Sequence, residues 1–235
     1  MSIEYAVRDG VAVLTMDDGK VNAMSTAFFD ALNAALDRAE EERPGPVVIT
    51  GRPGVFSAGL DLKLLPTLPA DDLRKTLIAF GRTLLRVFLF PLPTVAAVPG
   101  HAIAGGAMLA FACDLRVMAD GPFRLHLNET AIGLTLPSWA IAIAHAAIPR
   151  RWHTEAILHA RPYGAAEARD RGMVDVVAPP ERVLVEALAL AEPLKALDQK
   201  AYAGSKERHR ALEVQFVTAL LEREAAGLPT KATIA

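Results

Sequence analysis

Apolar positions along this chain follow two spacings: short β-branched runs, and longer stretches where they recur every three or four residues. Ile3 to Val7 and Val11 to Met16 are short runs, and the Arg8-Asp9-Gly10 between them predicts a hairpin. From Thr26 to Glu42, Phe28, Phe29, Leu32, Ala35, Leu36 and Ala39 keep helical spacing, with Ser25 at the N-cap and Arg43-Pro44-Gly45-Pro46 as the stop. Val47 to Thr50 predicts a buried strand. Asp71 to Phe90 predicts a helix, broken by Pro91-Leu92-Pro93 before a strand from Thr94 to Val98. Pro99-Gly100 then turns the chain, and Gly105-Gly106 leads into an Ala-rich segment expected to be a buried helix.

Downstream, Leu115 to Ala119 and Phe123 to Leu127 read as strands joined by Asp120-Gly121-Pro122. Pro137 to Ala147 and Pro149 to Ala160 read as helices, Gly164 to Gly172 as a short helix and Met173 to Val177 as a strand. Pro179-Pro180 opens a helical region running to about Gly227, and Leu228 to Ala235 has no periodicity and is expected to fray. Alternating strands and helices predict an α/β fold with helical crossovers. Two strand–turn–helix units, one through Gly51 to Leu62 and one through Pro99 to Ala112, place backbone amides beyond strand ends, where ligands of such folds gather.

Composition narrows the class. The 235 residues, 52% hydrophobic, suit one large domain, or one domain with a small appendage. A net charge of -2 gives no general case for nucleic acid or an anionic membrane. Cys113 is the only cysteine, which excludes an internal disulfide and a cysteine-cluster metal site; its apolar surroundings make it a small core residue. No basic region followed by an apolar block opens the chain, and no apolar run is long enough to span a bilayer, so a cytoplasmic protein is expected.

Chemistry is carried by few residues. The start of the helix at Gly105-Gly106 leaves unpaired N–H groups at the positive end of a dipole; either it receives an oxyanion, or the two small residues only let a helix pack closely. Two such amides converging on one oxygen would form an oxyanion hole, suited to a thioester carbonyl becoming an enolate. Glu129, set among Leu127, Ala131, Ile132 and Leu134, is the candidate base. Apolar surroundings would raise its pKa toward the working pH; the alternative is an exposed loop glutamate before a helix. His101, His126, His145, His153 and His159 lack metal-ligand spacing, and only His126 lies near Glu129. Ser57 and Ser138 lack a nucleophile elbow, Trp139 and Trp152 read as core, and Lys195 to Arg210 reads as a solvated helix face, with contact to a phosphate as the alternative.

Taken together, Asn22-Ala23-Met24, Phe56-Ser57-Ala58-Gly59-Leu60-Asp61-Leu62, Gly100-His101-Ala102-Ile103-Ala104-Gly105-Gly106, Cys113-Asp114, Gly164-Ala165-Ala166-Glu167-Ala168 and Gly172-Met173-Val174-Asp175 resemble the crotonase superfamily of enoyl-CoA hydratases and isomerases. The resemblance implies a spiral of ββα units over residues 1–178 and a helical C-terminal region, 179–235, that trimerises, giving a homotrimer or a dimer of trimers. It implies an acyl-CoA thioester as substrate, with no cofactor besides the coenzyme A carried by that substrate. It implies that the Leu60 and Gly105 N–H groups form the oxyanion hole, and that Lys20, Asn22 and Ala23, with Ala58, Gly59 and Asp61, cradle the adenosine end of CoA. Gly106 and Met108 join them as expected substrate contacts.

One departure is informative. The hydratases carry two catalytic glutamates; the first position is Met108 here, and the second is Glu129. A thioether cannot relay protons, so a water held between two carboxylates is not expected. Leu127-Asn128-Glu129-Thr130 with Gly133 also resembles mitochondrial-type Δ3,Δ2-enoyl-CoA isomerases. The expected activity is therefore a double-bond shift by one glutamate; a hydratase, another crotonase-type reaction, or a non-catalytic acyl-CoA-binding protein are the alternatives.

Overall fold

The computed structural model describes residues 2–227, so the expectation of fraying over 228–235 lies outside the described residues. Strands β1 (Ser2–Arg8) and β2 (Val11–Asp17) pair antiparallel across Asp9-Gly10, both at positive φ, as the hairpin signal requires. Helix α1 (Thr26–Glu42) begins where Ser25 accepts a hydrogen bond from the Phe28 N–H and ends at a left-handed Arg43.

From there the chain winds in repeated turns. The first holds β3 (Val47–Thr50), β4 (Gly54–Ser57) and α2 (Ala70–Phe88). The second holds β5 (Thr94–Val98), β6 (Gly100–Ile103) and α3 (Gly105–Ala112). The third holds β7 (Leu115–Ala119), β8 (Leu125–His126) and α4 (Ser138–Ala147). Each turn gives one strand to a large sheet and one to a small sheet. The large sheet has the order β1-β2-β3-β5-β7-β9, with β9 at Val176–Ala178, and the small one the order β4-β6-β8; every pair except β1·β2 is parallel. This is an α/β spiral of ββα units, as expected.

Several local expectations are corrected. Gly54–Ser57 and Gly100–Ile103, read as turns, are strands: each is too short to show a period, and its small residues answer to a neighbouring backbone rather than to a core face. The strand expected over Phe123–Leu127 is only Leu125–His126, and it joins the small sheet rather than β7. Pro149–Ala160 is a 3₁₀ turn and a single π turn, not a regular helix. A short helix α5 (Ala165–Asp170) precedes the last strand, Val176–Ala178, and the final helical region divides into α6 (Val183–Ala191) and α7 (Gln199–Gly227) with 3₁₀ turns around α6.

Strand alternation builds two cores. Val11, Val13, Val48, Val95, Ala97, Val117 and Ala119 face α6, while Ala12, Leu14, Val47, Ile49, Ala96 and Met118 face the larger core with α1, α2, α3 and α4. Burial on both faces explains why these strands read as unbroken apolar runs. Both helices beyond residue 178 pack into this body: α6 on the sheet, α7 on α2 and α4.

α7 is anchored by charge. Asp114, just before β7, accepts hydrogen bonds from the Thr94 N–H (2.7 Å) and hydroxyl (2.9 Å), the Tyr202 hydroxyl (2.7 Å) and Lys206 Nζ (2.8 Å), and pairs with Arg210 at 2.9 Å. Lys195 to Arg210 is therefore not only a solvated face: Lys206 is buried, and Arg210 stacks over the Phe88 ring. The sequence shows a charge run; only the packing shows which members turn inward. No helix among the described residues is long and apolar enough to cross a membrane.

Candidate active site

The site grows from one register. Ser57 of β4 pairs with Ala102 of β6, so Leu60 and Gly105, each three residues on, leave the small sheet at the same edge. Leu60 bridges Met24 through neighbouring groups: the Gly59 carbonyl accepts from the Met24 N–H, and the Asp61 N–H donates to the Met24 carbonyl. That extended geometry turns Leu60's own N–H the other way. Gly105 is the first residue of α3, where an N–H has no intrahelical partner. Among the described residues, neither amide donates to a backbone or side-chain acceptor.

Glycine is needed where the two segments meet. Gly59 has φ +80°, and a Cβ there would lie 2.7 Å from the Gly105 nitrogen. Ala104, beside it, takes φ 50° without being glycine, a conformation held by its N–H donating to the His126 carbonyl at 2.7 Å. A Cβ on Gly106 would strike the Ser57 carbonyl, so the small residue lets α3 lie directly on β4. Gly106 thus permits close packing, as does Gly105, where a Cβ would lie 2.9 Å from Phe80 Cζ; Gly105 also presents an amide without an acceptor among the described residues. Gly106→Ala is expected to destabilise the fold by about 1–3 kcal/mol through overpacking; a denaturant midpoint unchanged from the original protein would contradict it.

Beyond the two amides lies an apolar cavity of about 120 Å³. Ala58, Leu60, Gly105 and Met108 form one part of its lining, and Asn128 and Glu129 another. Three helices add to it: α2 through Leu73, Leu77 and Phe80, α4 through Trp139, and α7 through Leu221, Glu224 and Ala225. Glu129 opens a 3₁₀ turn over Glu129–Ile132 and is 7% exposed. Its Oε2 has no hydrogen-bond partner, and burial pushes its carboxyl up to about 7. The exposed-loop alternative does not describe it. Met108, 2% exposed, stands in the same wall.

Other expected contacts are placed differently. Hydrogen bonds from Ala58 N–H to the Val21 carbonyl and from Met24 N–H to the Gly59 carbonyl lay the Lys20–Ala23 and Ala58–Asp61 segments side by side. Within them, the Asn22 side chain is fully buried: Nδ2 donates to the Met16 and Phe56 carbonyls, and Oδ1 accepts from the Asp18 N–H. It ties β2 to β4, so no side-chain contact from Asn22 to a ligand is available in this arrangement. Asp61 accepts from the Lys63 and Leu64 N–H groups, shaping the turn after Leu60. Lys20 is exposed, and Ala23 donates its N–H to Asp18. Gly59, Asp61 and Gly106 adjoin the cavity lining without entering it.

The histidines stay outside the cavity lining. His126 shares a 2.7 Å hydrogen bond with the Ala160 carbonyl, and His145 stacks on His153 with ring centres 4.1 Å apart. No cluster of three metal-ligating side chains occurs among the described residues. Cys113 is buried, and desolvation pushes its thiol up to about 12, as a core residue.

Sequence reasoning missed the α7 wall. Val217, Leu221 and Ala225 recur every fourth residue, a buried stripe that could have announced it. Glu224, beside that stripe, is a second carboxylate on the cavity; it accepts from the Ser138 N–H at 2.9 Å and from the Ser138 hydroxyl.

Residues 6–226 match the family model described as "Enoyl-CoA hydratase/isomerase". The chain is 40% identical over 188 residues to a "Putative enoyl-CoA hydratase" of Thermus thermophilus, covering 77% of this chain and 73% of that protein. It is 31% identical over 229 residues to the mitochondrial enoyl-CoA delta isomerase 1 of Homo sapiens, covering 92% and 76%. The crystal structure of human mitochondrial delta3-delta2-enoyl-CoA isomerase superposes with a TM-score of 0.92 at 29% identity, covering 97% of this chain and 90% of that one.

Proposed function

Because the chain belongs to the enoyl-CoA hydratase/isomerase family, we propose that this member is a Δ3,Δ2-enoyl-CoA isomerase. The observation that carries the reading is the Glu129 carboxyl, buried and without a partner at Oε2, in one cavity with two free amides and with a thioether at Met108. In this mechanism the thioester carbonyl accepts from the Leu60 and Gly105 N–H groups. Glu129, ionised, removes a proton from C2 of a 3-enoyl thioester. The electron pair moves into a dienolate whose oxygen the two amides stabilise. Protonated Glu129 then returns the proton to C4, the double bond lies between C2 and C3, and the carboxylate is restored. No water takes part.

A carboxyl near 7 suits both halves of this cycle. Since the ionised form starts the reaction, kcat/KM is expected to rise with pH and level off above about 7, falling tenfold per unit on the acid side. A flat profile between pH 5.5 and 8.5 would remove Glu129 from the first step.

Hydration is the second reading. Several relatives carry hydratase names, and Glu224 brings a second carboxylate to the cavity. Its oxygens, however, accept from Ser138 at the start of α4. Purified protein given 3-hexenoyl-CoA and, separately, crotonyl-CoA decides the matter. The proposal expects 2-hexenoyl-CoA from the first and little hydration of the second; the reverse pattern overturns it. The reading includes a homotrimer or a dimer of trimers, measurable by light scattering.

A further inference from the structure

We propose that Glu224 is a specificity-determining residue: by fastening the end of α7 to the first turn of α4, it fixes the wall that limits acyl-chain length. This rests on the acyl-CoA reading above, but not on which reaction follows.

The argument begins with α4. A helix start leaves N–H groups unpaired, and α4 is preceded by Pro137, which offers no side-chain cap. The cap comes instead from 86 residues away, where the Glu224 carboxylate accepts from both the Ser138 N–H and its hydroxyl. Negative charge at that end of a helix is favourable. The same contact sets the position of α7, because Glu224 and its neighbours Leu221 and Ala225 all line the cavity. Close approach is built in on the facing helix: a Cβ on Gly81 of α2 would lie 2.7 Å from Leu221 Cδ1 and 3.0 Å from Trp139 Nε1. The Trp139 ring meets Phe80 edge-on at 4.8 Å. Leu221, Trp139 and Phe80 thus form one packed wall, and the Glu224–Ser138 bonds close it at α7.

The other end of α7 is held independently. Tyr202, Lys206 and Arg210 all bind Asp114, roughly three to six turns before the cavity residues at 3.6 residues per turn. Cutting the Glu224 contact therefore loosens the wall without undocking the helix, because the other polar tie at this end, the Arg82–Glu222 pair at 2.9 Å, is solvent-exposed and holds weakly. Outward movement of Leu221 and Ala225 would open room for further methylene groups along the α7 wall of a cavity of only about 120 Å³.

Saturated acyl-CoAs isolate the pocket from the chemistry. Affinities of butanoyl-, octanoyl- and dodecanoyl-CoA are measured by calorimetry for the original protein, Glu224→Ala and Ser138→Ala. The expected result is a gain of about tenfold in the dodecanoyl-to-butanoyl affinity ratio for Glu224→Ala, the effect of roughly two newly sheltered methylenes. Ser138→Ala, which keeps the backbone donor, shifts the ratio in the same direction by less, and stands in if Glu224→Ala fails to fold. An unchanged or lowered ratio in a folded variant overturns the inference while leaving the isomerase reading intact. A shifted ratio in a protein that fails to isomerise 3-hexenoyl-CoA does the opposite. Absence of acyl-CoA binding by the original protein removes both.

Discussion

Glu129→Gln is expected to lower kcat for conversion of 3-hexenoyl-CoA to 2-hexenoyl-CoA by about 10⁴-fold, the upper end of what a positioned acid–base group contributes. Glutamine matches glutamate in shape, so the apolar wall around it is preserved, but an amide cannot take the C2 proton or deliver it to C4. The two backbone donors remain, so octanoyl-CoA affinity is expected to stay within a few-fold of the original. Folding is also expected to survive. The Glu129 carboxyl lies near 7 in the fold and nearer its ordinary 4.5 when unfolded, so its ionised form opposes folding as pH rises between those values. At pH 8 the variant should melt no lower than the original protein. Turnover close to the original in Glu129→Gln would mean that another group moves the proton.

Asp114→Ala is expected to be the most damaging substitution for stability, at about 3–5 kcal/mol, on the order of 10 °C in melting temperature for a chain of this size. The reason is what remains: Lys206, 4% exposed at its side chain, would keep its charge with its acceptor removed, and Tyr202 and Thr94 would lose theirs. Burial pushes the Asp114 carboxyl up, but Lys206, Arg210 and its hydrogen bonds pull it down further, leaving it below the ordinary carboxylate range. Its contribution is therefore present above the ordinary carboxylate pKa and lost as pH falls through the depressed value. The acid limb of a stability–pH curve should flatten in the variant. A melting temperature within 2 °C of the original, by the scale of about 2–4 °C per kcal/mol, would show that α7 is held by packing alone.

These two residues differ in how the sequence discloses them. Glu129 stands out because a lone charge interrupts an apolar segment, a contrast visible in one dimension. Asp114 sits in a recognisable Cys-Asp pair, yet its partners on α7 lie 88, 92 and 96 positions on, within a basic run indistinguishable from solvated helix surface. Glu224 is harder still. Its partner Ser138 is an ordinary serine in the sequence, and only the crossing of α4 and α7 makes the pair.

Local patterns alone determined the hairpin, the span of α1, the strands at Val47 and Thr94, the buried α3 and the lone acid in apolar company, because each depends on neighbours a few residues apart. The tertiary structure decided the rest. Parallel pairing of two four-residue strands aligns Leu60 with Gly105, and the crossing of helices distant in sequence closes the cavity with Leu221 and Glu224. Such contacts are set by register and close approach of backbones, and neither leaves a period in the chain that could be read beforehand.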